Sequence, residues 1–134
     1  ALKDLTLDAK RYYDKSIYLM PFVIDYKLKL GAFLIDNKQL KAAKVIFETA
    51  LALNPTHKEI HLNLGYIFIL QQKFILADLY LKQAIALDPD YILAYENLVL
   101  CAQTQNNLIN VKVYLNKILE IAPDYNTSLI LENL

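Results

Sequence analysis

The stretch PTHKEIHLNLGYIFILQQKFILADLYLKQAIALDP, residues 55–89, holds two apolar helical patterns between two prolines. The first pattern covers residues 58–71 and the second covers residues 74–87, and both repeat apolar residues at i, i+3, i+4 and i+7. Only Gln72 and Lys73 lie between them. A connection this short predicts two antiparallel helices that pack side by side.

The spacing of the prolines extends this unit along the chain. The four prolines stand at positions 21, 55, 89 and 123, each 34 residues from the next. Proline lacks an N–H and clashes with the preceding turn, which costs ~3 kcal/mol inside a helix. Its regular recurrence predicts stacked repeats, with a helix ending near each proline.

This spacing divides the chain into three full repeats with partial repeats at both ends. We expect a second helix of a partial repeat in residues 1–23, full repeats in 24–57, 58–91 and 92–125, and the start of a further repeat in 126–134. The outer full repeats are predicted to form helices near 24–36, 40–53, 92–105 and 108–121. Their turns are predicted at residues 37–38 and 106–107.

The two glycines follow the same period. Gly31 and Gly65 are 34 residues apart and lie inside helical patterns, where glycine costs roughly 1 kcal/mol relative to alanine. We therefore predict that a neighbouring helix approaches closely at each glycine, where a β-carbon would block it.

The composition excludes several classes of protein. Hydrophobic residues make up 56% of the chain and charged residues 21%, which is too apolar for a disordered chain. The net charge of zero gives no general attraction for nucleic acid, which argues against RNA binding despite ten tyrosines. No apolar run approaches the ~20 residues that span a bilayer, so no membrane insertion is expected.

The cysteine content and the N-terminal residues give information on the cellular compartment in which the protein works. The single cysteine, Cys101, excludes an internal disulfide; this favours a reducing compartment such as the cytoplasm without establishing one. Residues 1–16 lack the basic start and apolar stretch of a secretion signal. Because the chain begins without Met, the loss of an earlier signal stays open.

The repeats resemble the tetratricopeptide repeat family, whose pattern of large, small and aromatic residues ends in proline. The middle repeat carries the pattern at His61, Leu64, Gly65, Phe68, Ala77, Leu81, Ala84 and Pro89. The first full repeat carries it at Leu30, Gly31, Leu34, Ala43, Phe47, Ala50 and Pro55, with Lys27 at the bulky position. The third matches at Tyr95, Leu98, Leu115 and Pro123 but has Val99, Val111 and Ile118 where smaller residues are usual. These larger residues should splay its helices or rotate its contact with the next repeat.

The resemblance implies an all-α fold, a right-handed α-α superhelix of antiparallel helix pairs with 34-residue repeats. In many members of the family, the first helices line a concave groove that binds a segment of a partner protein. The corresponding groove residues here are Leu28, Lys29, Ala32, Ile35, Leu62, Asn63, Tyr66, Ile69, Leu70, Leu93, Asn97 and Leu100.

The chemistry of these residues favours an apolar ligand. Some family members bind acidic chaperone tails through a clamp of Lys, Asn, Asn, Lys and Arg, but only Asn63 matches here. An exposed apolar stripe of this kind usually marks a contact site. We therefore expect the groove to bind an apolar or amphipathic segment of a protein partner. Two alternatives stay open, namely packing against other parts of a longer protein and closure of the groove by tight curvature.

No catalytic, metal or cofactor site is expected. His57 and His61 stand at i and i+4, a spacing that can hold zinc, but HKEIH lacks the HExxH pattern and no third ligand is evident. We expect His61 to be a packing residue and Cys101 to be a buried, inert thiol. No triad spacing and no glycine-rich loop is present in the sequence.

Two function classes remain, and neither is an enzyme acting by itself. The first is a scaffold or adaptor that binds a protein segment. The alternative is the repeat arm of a larger enzyme or of a secretion or assembly machine, with the chemistry outside this chain. Weak homo-oligomers are a further possibility, because the terminal partial repeats leave apolar faces at Leu5, Tyr12 and Tyr13 and at Leu129, Ile130 and Leu131.

Overall fold

A computed structural model of the chain describes residues 2–132, with side chains described at 8, 11, 15, 18–128, 130 and 131. These residues form seven α-helices and no strand. The helices are α1 (Leu2–Asp36), α2 (Leu40–Leu53), α3 (Lys58–Leu70), α4 (Phe74–Leu87), α5 (Ile92–Thr104), α6 (Leu108–Ile121) and α7 (Ser128–Glu132). The predicted helices agree with α2 to α6 within one residue at each end. In this part of the chain no helix is long and apolar enough to cross a membrane.

The chain forms two compact units, residues 1–54 and residues 55–134. In the first unit, α1 packs against α2 through a core that includes Ile24, Ala43, Phe47 and Ala50, all buried. A β-carbon built on Gly31 would overlap the ring of Phe47. The close approach predicted at this glycine is therefore confirmed.

The helix end predicted at Pro21 is wrong, because α1 continues through this proline. The neighbours of Pro21 explain the difference. Residues 17–20 and 22–24 are all apolar, and none of them stabilises a turn as Asn, Asp, Ser or Gly would. Pro55, Pro89 and Pro123 instead follow helix ends and stand next to polar residues. The boundary expected after residue 23 consequently falls inside a helix.

In the second unit, α3 pairs with α4 and α5 pairs with α6, while α5 also contacts α3 and α4. A β-carbon on Gly65 would lie 2.7 Å from Leu81 Cγ, so the prediction for this glycine is confirmed as well. In the α5–α6 pair, the large residues Val99, Val111 and Ile118 are buried in one cluster with Ala102 and Leu115. The splay expected from them stays a prediction.

The turn inside each helix pair has the same conformation three times. Lys38, Gln72 and Asn106 adopt left-handed backbone angles, with φ of 60°, 59° and 56°. The next residue in each turn, Gln39, Lys73 or Asn107, donates its N–H to the carbonyl five residues earlier, at 2.8, 2.8 and 2.9 Å. This is the Schellman arrangement, which satisfies carbonyls left free at a helix C-terminus. The turn positions predicted from the sequence are confirmed.

The ends of the α3–α4 pair are joined by charged and aromatic side chains. Lys58, at the start of α3, forms an ion pair with Asp88, just after α4. The same ammonium lies 4.5 Å from the ring centroid of Tyr91. The hydrogen bond from Lys58 lowers the pKa of the half-buried Asp88 carboxyl. Because the pair is partly solvated, it aligns the helix ends more than it stabilises them.

Candidate functional site

The first helices of the second unit, α3 and α5, are neighbours and carry most of the predicted groove residues. Three leucines on them are solvent-exposed, with exposed fractions of 43% for Leu70, 49% for Leu93 and 37% for Leu100. Tyr66 is half-buried between buried Gly65 and Ile67. The two helices thus present apolar side chains on a surface that is open to a ligand.

Two asparagines at equivalent positions flank these leucines. The Asn63 side-chain amide donates a hydrogen bond to the carbonyl of Glu59 at 2.8 Å. Asn97 makes the same bond to the carbonyl of Leu93, also at 2.8 Å. Each amide therefore uses one of its two N–H donors on its own helix and keeps the other N–H and the carbonyl oxygen for a ligand. Neutral amides beside exposed leucines suit an apolar segment with a few polar groups better than they suit a carboxylate, which needs a cationic partner.

Two of the predicted groove residues serve the core instead. Ile69 is only 4% exposed, so it offers almost no surface to a ligand. Leu62 is half-buried and packs against the buried cluster of Ala84, Tyr91 and Ala94. The apolar stripe read from helical periodicity therefore divides between packing residues and the exposed leucines at positions 70, 93 and 100.

The remaining predicted groove residues lie on α1 in the first unit. Leu28 and Ile35 are half-buried there, and Lys29 and Ala32 are exposed. Lys29 Nζ lies 2.9 Å from an Asp25 carboxylate oxygen, one turn earlier on α1. Both charged groups face solvent, so this pair contributes little stability.

An aromatic row on α1 was not predicted from the sequence. Tyr18, Phe22, Tyr26 and Phe33 are all exposed, and the rings of Tyr18 and Phe22 lie 6.4 Å apart. The 34-residue period contains the signal that could have revealed this row. Positions 26 and 33 correspond to Ile60 and Ile67, which are fully buried. Large aromatic side chains therefore remain in solvent on α1 at positions that belong to the core one repeat later.

The two histidines and the cysteine do not form a reactive site. His61 is buried, with Nε2 2.8 Å from the carbonyl oxygen of Pro55 and its ring 6.0 Å from that of Tyr80. It therefore has the packing role expected for it. Burial raises the pKa of the Cys101 thiol, which keeps it protonated and unreactive. In the described residues, no three His, Cys, Asp or Glu side chains come together as metal ligands would.

The apolar terminal faces are described only in part. The side chains of Leu5, Tyr12, Tyr13 and Leu129 lie outside the described residues. In α7, Ile130 packs against the cluster around Val99, and its carbonyl accepts a hydrogen bond from the Gln103 amide at 3.2 Å. This side chain is thus covered within its own chain, whereas Leu131 is exposed.

The sequence has a clear match among protein families. A sequence model of the family described as Tetratricopeptide repeat matches residues 24–57 and 58–91, which together make up half of the chain. No curated protein matches the chain significantly in sequence.

Several solved structures share the fold. A mutant O-GlcNAc transferase of Thermobaculum terrenum is 23% identical with a TM-score of 0.72, over 79% of this chain and 20% of the transferase. The first repeat domain of Spaghetti (RPAP3), bound to the HSP90 peptide SRMEEVD, is 17% identical with a TM-score of 0.73, over 82% of this chain and 89% of that chain. PilW, a type IV pilus biogenesis factor, is 20% identical with a TM-score of 0.74, over 98% of this chain and 64% of that chain.

These likenesses confirm the expected fold class, an all-α fold of antiparallel helix pairs of the tetratricopeptide type. At such identities they bear on the fold and not on the ligand. The chain corresponds to one fifth of the transferase it resembles and to about two thirds of PilW.

Proposed function

Because the chain belongs to the tetratricopeptide repeat family, we propose that it is a protein-interaction module which binds an apolar or amphipathic segment of a partner. The observation that carries the proposal is the exposure of Leu70, Leu93 and Leu100 on the adjacent helices α3 and α5. Each of the three leucines is already more than half-buried. Covering the rest of each one against a ligand therefore supplies roughly half of the about 1.5–3 kcal/mol that burying a fully exposed leucine supplies. The cost of association offsets part of this gain, so moderate affinity is expected.

The polar groups on these helices support an apolar ligand over an acidic one. The relative bound to an HSP90 peptide shares the fold, and its peptide carries two glutamates and an aspartate. Here one amide N–H of Asn63 and one of Asn97 are bonded to their own helices, and Leu93 stands where a charged clamp residue would be needed. A carboxylate placed on this surface would lose water without gaining a cationic partner.

The decisive experiment is a selection of peptides from a displayed random library, followed by binding measurements on variants. We expect enrichment of apolar or amphipathic sequences, with affinity falling at least tenfold in Leu70→Glu combined with Leu93→Glu. Val45→Glu is the matched control, because Val45 is an exposed apolar residue on α2. The proposal fails if no sequence is enriched, or if the selected peptides bind the Leu70/Leu93 variant as well as the unaltered chain.

A second candidate function is that of a repeat arm in a larger enzyme or in a secretion or assembly machine. The likeness to the O-GlcNAc transferase favours the arm of an enzyme, because the matched region is one fifth of that longer chain. The likeness to a pilus biogenesis factor motivates the assembly version. The flanking coding sequence decides the question: a neighbouring catalytic or membrane domain favours the arm, and a stop codon directly after Leu134 favours the free-standing module.

A further inference from the structure

A pocket lies between α4, α5 and α6 of the second unit. Its volume is about 330 Å³, room for roughly ten waters. Helix α5 forms its floor with Leu98, Cys101 and Ala102, and α4 and α6 form its walls. We call this cavity the outer pocket. It uses a different side of α5 from Leu93 and Asn97, so the two surfaces can be tested separately.

The walls of the outer pocket combine an apolar part with a polar part. Phe74 and Ile75 of α4 form the apolar wall. On the polar side, Lys82 Nζ lies 2.7 Å from an Asp78 carboxylate oxygen, and this hydrogen bond raises the pKa of Lys82. Tyr114 of α6 closes this side, and burial raises the pKa of its phenol. A guest with an apolar body and a polar tip matches this lining, as tyrosine and tryptophan side chains do.

Exposed apolar residues stand at equivalent positions of α4 and α6, and one of them, Ile75, lines the pocket. Ile75 and Ile109 are 34 residues apart and are 89% and 77% exposed. One turn further along, Leu79 and Val113 form a second exposed pair with the same spacing. We call these four residues the outer row. They lie along two helices separated by a gap, an arrangement into which the apolar face of another helix packs.

The charges beside the outer row are unbalanced. Lys82 is paired with Asp78, and Lys117 is paired with Glu120 at 3.1 Å. Lys73 and Lys112 also flank the row, and among the described residues neither makes an ion pair. The segments 73–82 and 108–117, which hold the outer row, therefore carry four lysines against one carboxylate, and Asp88 and Glu120 lie beyond their C-terminal ends. This excess attracts a ligand that carries negative charge beside its apolar face.

We propose that the outer pocket and outer row bind an acidic amphipathic helix of a partner protein, which inserts one tyrosine or tryptophan between α4 and α6. The aromatic ring fills the pocket against Phe74, Leu98 and Ala102. Apolar residues one turn away on the partner helix cover Ile75 and Ile109. Carboxylates on its flanks face Lys73 and Lys112. This surface is independent of the groove on α3 and α5 and would serve a second partner or a second segment of the same one.

The test uses a synthetic helical peptide of about 18 residues, or five turns. It has leucines on one face, one central tryptophan in that face and glutamates on its flanks. The chain contains no tryptophan, so the fluorescence reports the peptide alone. We expect a saturable blue shift of the emission at peptide concentrations below about 1 mM. A peptide with alanine in place of the tryptophan should compete at least tenfold more weakly.

Variants of the chain locate the binding. Ile75→Asp combined with Ile109→Asp should weaken binding at least tenfold, and both sites are too exposed for the change to unfold the unit. Lys112→Glu should weaken binding about threefold and reduce its salt dependence. Leu93→Asp, on the groove side, should leave the affinity unchanged.

Three outcomes would overturn the proposal. The first is no saturable shift with this peptide. The second is binding that Leu93→Asp abolishes and the Ile75/Ile109 variant preserves, which would place the peptide in the groove and leave the proposed function intact. The third is dimerisation of the chain alone, measured by sedimentation and lost in the Ile75/Ile109 variant, which would assign the outer row to a second copy.

Discussion

Gly65 of α3 faces Leu81 of α4 with no room for a side chain, because a β-carbon on Gly65 would lie 2.7 Å from Leu81 Cγ. Leu81 is fully buried and Cγ is its branch point, so it cannot move aside without shifting its whole side chain. The approach of α3 to α4 therefore depends on the glycine.

Gly65→Ala should lower the free energy of unfolding by about 1–2 kcal/mol. Overpacking a tight contact costs about 1–3 kcal/mol, and the better helix propensity of alanine recovers up to about 1 kcal/mol. Urea denaturation measures the change. Adding Leu81→Ala to Gly65→Ala should cost less than the two single changes together, because the smaller side chain accommodates the new methyl group. An unfolding free energy unchanged by Gly65→Ala would contradict the close contact.

Gln72→Gly should raise the unfolding free energy by about 0.5–1 kcal/mol. Gln72 has φ of 59°, and the left-handed conformation costs a residue with a side chain roughly 1–2 kcal/mol. Glycine removes that cost but loses more entropy on folding. Asn106→Gly is the matched control in the next repeat, and its gain should be smaller because asparagine tolerates this conformation. If Gln72→Gly and Asn106→Gly raise the unfolding free energy equally, relief of the left-handed backbone angle is not the cause of the gain.

Ile69 and Leu70 are sequence neighbours with opposite environments, so the same substitution should act differently at each. Ile69→Glu places a carboxylate at a buried position and should cost several kcal/mol of stability. Leu70→Glu alters an exposed side chain and should change stability by less than about 0.5 kcal/mol. Thermal denaturation of both variants gives the comparison. Similar melting temperatures for the two would contradict the burial described for Ile69.

Tyr91 and Tyr125 should ionise above the ordinary pKa of a tyrosine. Burial, with the nearby Glu59 and Asp88 carboxylates, raises the pKa of Tyr91 to about 12. The hydrogen bond from its hydroxyl to Glu96 raises the pKa of Tyr125 to about 12. Since the folded state holds these protons more tightly, the stability they contribute is complete below the ordinary tyrosine pKa of 10.0 and is lost as the pH rises through about 12.

Ultraviolet titration of tyrosinate in the unaltered chain and in variants tests this assignment. Tyr91→Phe should remove one of the two tyrosine ionisation steps near pH 12. Glu96→Gln should lower the pKa of Tyr125 and leave that of Tyr91 unchanged, because the two phenols are held by different groups. If Glu96→Gln leaves both ionisation steps near pH 12 in place, the Tyr125–Glu96 hydrogen bond does not cause the raised pKa of Tyr125.

Much of the fold was predictable because local signals agree with one another. The short turns at positions 38, 72 and 106 and the helices on either side of them follow from periodicity and turn length. The role of Gly65 was predictable because glycine destabilises a helix. Its presence inside one therefore indicates that a neighbouring helix lies too close for a β-carbon. The burial of His61 follows from its place in the repeat pattern.

Features that depend on the distance between helices were not predictable in this way. Helical periodicity places Leu62 and Ile69 on one face but does not say where the core ends and the open surface begins. The outer pocket exists because α4 and α6 stand apart over α5, a distance that no residue spacing encodes. At Pro21 the period indicated a turn, whereas the apolar neighbours of the proline allow the helix to continue.

The aromatic row makes one surface of α1 prone to association. Tyr26 and Phe33 are exposed rings, whereas the equivalent positions one repeat later are fully buried. Apolar surface of this kind pairs with other apolar surface as the concentration rises. Charged side chains at these two positions should therefore raise the concentration at which the chain stays in solution.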